Sequence, residues 1–534
     1  MRPLVRGEQA GATGLSNAMK YLSRIESLQF RAVWHEGLWR LEGRLPWVTN
    51  LRKQGFLVAA AVEDLDSGVP AIFAMPHDAP GLWRSDDLKL LALQSSNSAA
   101  LDLEAVLLDE AWRTHPDAWA FCTRARPAFL GLQLRERNRE VSHMTARLDT
   151  IRAAAKGHCE ETIRPEVDTW NRDAAWPRHA SDQAAALGLT GLYCPEEWGG
   201  QGLSLAEGIQ VYEELGKGDG AYAFALSMHN ICAYAVCGYG TESLKRQWAH
   251  DLTAGRKLAN FALTEPQSGS DPSNMFSRAR INSDGTWTIN GSKAWVSLAD
   301  EADLYLTVVK TDDAPGYRDM AMIAIPAGEE GLSFGPRYET PSYRFLPMSE
   351  MYLRDVTVSE ANIVLPVGKG LQGSLMAIDI ARVSIAAGCC GLMETALDTA
   401  LAYANHRRMF GGVTLDLEGI QWMLGEVATD LEVSRLLYRA AAAALGTPEG
   451  PLLAAHAKRF VPDAALRATH TCTQVLGGMG LLTSYGLDRL SRLAQMLRIV
   501  DGTTEVSRVV IGRALKKRAG TLPALPIPKG FGED

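Results

Sequence analysis

One β-rich stretch occurs twice in this chain, and that duplication limits the folds open to it more than any other feature. Trp39-Arg40-Leu41-Glu42-Gly43 precedes Trp47-Val48-Thr49-Asn50, and Trp287-Thr288-Ile289-Asn290-Gly291 precedes Trp295-Val296-Ser297-Leu298. In both, the glycine stands four residues after the first tryptophan and the second tryptophan four after the glycine. Phe56-Leu57-Val58-Ala59 begins 17 residues after Trp39, as Leu304-Tyr305-Leu306-Thr307 does after Trp287. Pro76 follows Trp47 by 29 residues and Pro326 follows Trp295 by 31; Leu103-Glu104-Ala105-Val106 then matches Leu353-Arg354-Asp355-Val356. Short β-rich runs broken by Asp-Gly or Ser-Gly turns, at a spacing held over that distance, mark two copies of one β domain.

The flanks differ. After Arg126-Pro127-Ala128-Phe129 the first copy runs into the polar Arg135-Glu136-Arg137-Asn138-Arg139-Glu140, then a new amphipathic pattern near Met144. Residues 1–134 read as a truncated relative of the later β domain and 135–143 as a charged linker. That is either a fusion or an extended reading frame with Met144 as an original start. From 144 to 257 the apolar residues keep helical spacing (Leu148, Ile151, Ala155, Cys159), whereas 258–366 switch to strands. No proline falls between Pro366 and Pro448, and Leu417, Ile420, Leu424, Val427 and Leu431 form one helical stripe. Glycine-rich breaks at 411–412, 446–451 and 477–480 suit an antiparallel bundle over 367–520, with a tail at 521–534. The expected class is α+β: a helical domain, a central β-barrel or sandwich, a C-terminal four-helix bundle and an extra partial β domain in front.

A net charge of -8, with no basic block, gives no support to nucleic-acid binding. The eight cysteines show no metal-ligand or CxxC spacing, so a reduced, cytoplasmic protein is expected. No apolar run reads as transmembrane and no secretory leader opens the chain, so no membrane partner is expected.

Five stretches carry chemistry. Phe261-Ala262-Leu263-Thr264-Glu265-Pro266-Gln267-Ser268-Gly269-Ser270-Asp271 is a loop of small residues whose backbone can approach a flat ring or a phosphate. Trp295-Val296-Ser297 sets a tryptophan and a hydroxyl on one strand, where a tryptophan is ordinarily core. Arg407-Arg408-Met409-Phe410-Gly411 closes a helix, and its arginines suit either that helix end or an anionic group. Gln474-Val475-Leu476-Gly477-Gly478-Met479-Gly480 is a glycine turn, weak evidence alone. Asp501-Gly502-Thr503-Thr504-Glu505 reads either as a helix start, with Asp501 the N-cap, or as a catalytic carboxylate.

Taken in order, these stretches resemble the acyl-CoA dehydrogenase flavoprotein family over essentially all of 144–520. The resemblance implies FAD as cofactor, with Phe261, Leu263, Thr264 and Ser270 along the flavin. It places Trp295 over the ring and the Ser297 hydroxyl at flavin N5. Arg407 and Phe410 would serve the pyrophosphate of a neighbouring subunit's FAD, and Gln474, Gly477 and Gly478 its adenosine part, which implies a homodimer or homotetramer. Thr503 and Glu505 would lie beside the cofactor. Where the family usually has glutamine this chain has Glu418, and no contact is carried over there.

The implied reaction is α,β-dehydrogenation of an acyl-CoA, with electrons passed to an electron-transfer flavoprotein or similar acceptor. Asp501 stands where the family usually has its glutamate base. The alternative base position, ahead of Arg382, holds Ala381. Asp379 and Arg382 match positions near the substrate entrance, and the resemblance counts Ser270 there as well; an i,i+3 ion pair explains Asp379 and Arg382 equally well. Aspartate is one carbon shorter than glutamate, about 1.5 Å of reach. A nitroalkane oxidase-like enzyme, or a non-catalytic flavin-binding protein, are the competing readings.

Overall fold

The duplicated sequence folds twice into the same eight-stranded sheet. The structure is a computed structural model that describes residues 10–13, 28–48, 56–85, 99–116, 141–311 and 319–522. Most of the expected linker, Cys122 and the tail beyond 522 lie outside those residues. The chain divides into two units, Met1–Ser142 and His143–Asp534.

In the first unit the strands are β1 (Ala10–Thr13), β2 (Phe30–His35), β3 (Leu38–Val48), β4 (Phe56–Asp64), β5 (Ala71–Pro76), β6 (Leu82–Arg84), β7 (Ala99–Leu108) and β8 (Arg113–His115). They order as β6-β7-β3-β2-β4-β5-β8, with β1 parallel to β4. The second unit repeats this with β9 (Ala259–Ala262), β10 (Arg278–Ile281), β11 (Trp287–Ser297), β12 (Leu304–Lys310), β13 (Met320–Pro326), β14 (Leu332–Phe334), β15 (Met348–Val358) and β16 (Ile363–Leu365). Their order is β14-β15-β11-β10-β12-β13-β16, with β9 parallel to β12. Among the described residues the first copy therefore has all eight strands of the second; the expected loss of its helical flanks lies largely outside the described residues.

The Trp-x-x-x-Gly repeat has a physical cause. The β3–β7 register shifts between Leu41 and Gly43, and the β11–β15 register between Ile289 and Gly291. At these bulges Gly43 has φ 134 and Gly291 φ 151, and a Cβ would sit 2.1 Å from the Gln29 carbonyl oxygen or 2.3 Å from Ser277 Oγ. Only glycine fits. Strand pairing corrects the sequence alignment by one residue: Leu57 opposes Pro76 as Leu304 opposes Pro326, so Leu57, not Phe56, is the counterpart of Leu304.

The two sheets finish differently. At the position of Ile363 the first copy has Arg113, whose guanidinium lies 4.8 Å over the Trp39 ring and pairs with buried Asp64 at 3.3 Å. The Trp39 indole donates to Glu110. Among the described residues, the first unit's core includes Phe30, Leu41, Val58, Phe73 and Val106 from its strands and Ala79 from the turn between β5 and β6.

The second unit opens on helices α1 (Val141–His158), α2 (Arg164–Asp173), α3 (Arg178–Ala186), α4 (Leu205–Gly208), α5 (Val211–Gly216), α6 (Gly220–Tyr239) and α7 (Glu242–Thr253). After the sheet come α8 (Gly370–His406), α9 (Glu418–Ala444), α10 (Gly450–Leu476), α11 (Leu487–Leu497) and α12 (Thr504–Ala519). Helix α8 packs along α10, α9, α5 and α6, and α10 carries α11 and α12. Contrary to the sequence expectation, α8 is long and apolar enough to cross a membrane, with a mean hydropathy of 1.7 over one window. That window is 83% buried by the surrounding protein, the pattern of a core helix.

Candidate active site

The turn between α11 and α12 is built from two residues in left-handed conformation, Asp501 (φ 54) and Gly502 (φ 88). Thr503, not Asp501, is the N-cap: its Oγ1 accepts from Val506 N–H at 3.2 Å. Aspartate is the better intrinsic cap of the two, so the sequence pointed to Asp501; the left-handed turn at 501–502 moves the helix start to Thr503 instead. The consequence is chemical. Relieved of capping, the Asp501 carboxylate has a buried Oδ2 with no hydrogen-bond partner among the described residues.

Two cations hold this turn. Arg382 Nε donates to the Asp501 carbonyl at 3.2 Å while its Nη1 donates to Asp379 Oδ1 at 3.1 Å. The Asp379–Arg382 ion pair therefore forms, and its arginine also grips the turn. The φ of 88 at Gly502 favours glycine, and a Cβ there would also stand 2.9 Å from Arg382 Nη2 and push that guanidinium aside. From α10, fully buried Lys458 donates Nζ to the Gly502 carbonyl at 3.0 Å. Burial pushes the Asp501 carboxyl up to about 6, against the opposing pull of Lys458 and Arg382. The same burial brings Lys458 down to about 8, with Asp501 acting against it.

The edge of β9–β11 carries the second group. The Thr264 carbonyl accepts from Ala294 N–H at 2.9 Å, which ties the small-residue loop to β11. Beneath it Lys293 and Glu265 form an ion pair at 2.8 Å, both buried, and Lys293 also donates to the Leu263 carbonyl at 3.2 Å. Burial alone would raise Glu265, but Lys293 and the N–H groups of Phe276 and Ser277 hold it below the usual range. Trp295 (φ 57) leaves its ring 60% exposed, 4.5 Å from the Tyr338 ring centroid. Ser297 is buried, and its carbonyl accepts from the Asn260 amide. An exposed tryptophan on the strand that also carries Ser297, tied through Ala294 to the Thr264 loop, fits a flat ring with polar edges, as a flavin is.

A cavity of about 500 Å³ lies between α6, β12, β13 and α8, lined by Ile231, Tyr234, Phe261, Leu306, Met376 and Ile380 among others. Its lining is mostly apolar, and Phe261 belongs both to it and to the β9 strand that leads into the loop.

The remaining expected residues stand apart. Arg407 ends α8, and Phe410 (φ 50) with Gly411 turns a two-stranded hairpin that leaves Phe410 91% exposed. Gln474, Gly477 and Gly478 are exposed at the end of α10, and Ser270 is exposed on its loop. Glu505 is exposed and paired with Arg508 at 2.6 Å. No bond joins these to Asp501 among the described residues. Sequence reading missed Lys458 and the Lys293–Glu265 pair. The signal for Lys458 was present: a lysine in step with Ala454, Val461 and Ala465 on a face of small apolar residues.

A carboxyl raised to about 6 in a left-handed turn and, on the β domain, an exposed tryptophan face suited to a flat ring are parts that suit an acid–base flavoenzyme. The sequence matches the descriptions "Acyl-CoA dehydrogenase, N-terminal domain" over residues 145–256, "middle domain" over 260–356 and "C-terminal domain" over 368–516. It is 30% identical to the mitochondrial isobutyryl-CoA dehydrogenase of Dictyostelium discoideum over 369 residues, covering 69% of this chain and 88% of that one. Among solved structures, the butyryl-CoA dehydrogenase of Megasphaera elsdenii is 31% identical with TM-score 0.67, covering 69% and 98% of the two chains. A glutaryl-CoA dehydrogenase with glutaryl-CoA is also 31% identical, TM-score 0.66, covering 70% and 95%. The chain belongs to the acyl-CoA dehydrogenase family. It is an enzyme of that flavoprotein type, and FAD is its cofactor.

Proposed function

We propose that the enzyme removes the α proton of an acyl-CoA thioester with Asp501 and forms the 2-enoyl-CoA. The observation that carries this is the Asp501 carboxylate itself, raised to about 6, with a buried Oδ2 that has no partner once Thr503 takes the cap. An α proton is weakly acidic, and a base with its pKa near the working pH removes it best. Arg382 and Lys458 hold the backbone on which this carboxylate rides, so its aim does not depend on a flexible loop. FAD, when bound, supplies the acceptor for the β hydride. Trp295, Ser297, Thr264, Leu263 and Phe261 hold the ring, with Thr503, Glu505 and Ser270 at its margins. The apolar cavity, reaching Ile380 one residue beyond Asp379, takes part of the acyl thioester.

Arg407, Phe410, Gln474, Gly477 and Gly478 serve the FAD of a second copy, giving a homodimer or homotetramer. Exposed Phe410, Trp422, Leu436 and Leu481 supply apolar surface for that contact. An electron-transfer flavoprotein or similar acceptor collects the electrons, and a reduced, cytoplasmic setting suits the unpaired cysteines of the described residues. The domain division runs 1–134, 135–143, 144–257, 258–366 and 367–520.

The test is anaerobic titration of the purified holoprotein with short, long and branched acyl-CoAs, and separately with nitroalkanes. Bleaching of the flavin band by a thioester is the expected result. Bleaching by nitroalkanes alone, with peroxide formed on admitting air, would assign an oxidase instead.

A further inference from the structure

We infer that Lys458 is a positioning residue for the reaction, its buried ammonium fixing the Asp501–Gly502 turn and keeping the Asp501 carboxylate ionised. This rests on the reading of Asp501 as the base.

A lysine without solvent exposure is costly to a fold unless its charge is answered. An ammonium offers three N–H donors, and the hydrogen bond formed at Lys458 is to the Gly502 carbonyl. The charged and titratable groups around it leave one acid to answer the charge. On its own helix, Asp463 is engaged by Arg498 at 2.6 Å and by Arg508 at 3.3 Å. From α8 come Arg382, held by Asp379 and the Asp501 carbonyl, and the buried thiol of Cys389. From the turn comes Asp501, whose Oδ2 has no hydrogen bond. Asp501 is therefore the acid left to answer the Lys458 charge, on the turn whose Gly502 carbonyl Lys458 holds.

The helix is adapted at this place. Pro462 lies inside α10 four residues beyond Lys458, and proline has no N–H to bond the Lys458 carbonyl. The turn that carries the lysine is thus relieved of one helical bond.

During the reaction Asp501 takes the substrate's α proton and becomes neutral; Lys458 keeps its own proton throughout. Two pH limits follow. Below about 6 Asp501 is protonated and cannot act, and above about 8 Lys458 loses the charge that holds Asp501 ionised and the turn in place. Removing an adjacent positive charge makes a carboxyl easier to protonate, so its pKa rises.

The experiment is the pH dependence of kcat/KM in the full-length holoenzyme with butyryl-CoA or whichever acyl-CoA bleaches the flavin best, for wild type, Lys458→Met, Lys458→Arg and Asp501→Asn. In Lys458→Met the acid limb moves up by about one unit or more and the alkaline limb near 8 disappears. In Lys458→Arg the acid limb stays at its wild-type pH, at a lower rate, and the alkaline limb leaves the measured range. A lysine that only props the helix would lower flavin content or melting temperature and leave both limbs in place, which overturns the inference. If Lys458→Met does not fold, an alkaline limb persisting near 8 in Lys458→Arg overturns it alone. Asp501→Asn separates the two claims. If that variant still reduces flavin at the wild-type rate, the base assignment and this inference fall together. If it is inactive while the Lys458 limbs stay fixed, only the inference on Lys458 falls.

Discussion

Gly502 shows how closely the reacting turn is drawn. Any side chain there meets both a left-handed φ of 88 and the Arg382 guanidinium 2.9 Å away. Gly502→Ala is expected to cost about 1–3 kcal/mol of stability and, by displacing Arg382 from the Asp501 carbonyl, to slow flavin reduction on the order of a hundredfold. Thermal melts and stopped-flow absorbance check both figures. Lys293→Met leaves the Glu265 charge buried and unpaired, so a loss of about 3–5 kcal/mol and release of flavin on dilution are expected, read from melts and the filtrate's absorbance. At this scale the sequence was legible where a residue type is forced and silent where a partner comes from far along the chain. Asp501 and Gly502 were singled out by motif, but Lys458 lies 44 positions from Gly502 in sequence, and no local pattern links them.

At the scale of elements, the bulge glycines made the duplication readable, because Gly43 and Gly291 occupy the same shifted register and nothing larger fits. The one-residue error at β4 arose because strand pairing fixes equivalence and spacing only approximates it. Composition misjudged α8 in a different way: a helix surrounded by α5, α6, α9 and α10 carries apolar residues on all sides. The first sheet closes with polar contacts that its sequence did not announce. Arg113→Ala should strip buried Asp64 of its ion pair and destabilise the first unit by about 3 kcal/mol. The flavin spectrum should be unchanged, since residues 1–142 hold none of the proposed cofactor positions; circular dichroism melts beside visible spectra test this.

For the whole molecule, the three family matches and every proposed catalytic residue fall between 145 and 516. A version beginning at His143 is expected to bind FAD and to bleach with the same thioester at a rate within about threefold of the full chain, well under the tenfold that 1.4 kcal/mol of barrier represents. Loss of flavin in that version would show that the first unit supports the second. Family and cofactor were legible from motifs spread along the chain; the first unit's complete strand set emerged only once registers were known.

The central claim is that Asp501 is the base, and the rate of flavin reduction in a single anaerobic turnover tests it most directly. Wild type and Asp501→Asn would be compared at equal flavin content with one saturating acyl-CoA. The account predicts a fall of about 10²–10⁴-fold in the variant with its flavin retained. A variant that reduces within a few fold of wild type would contradict it.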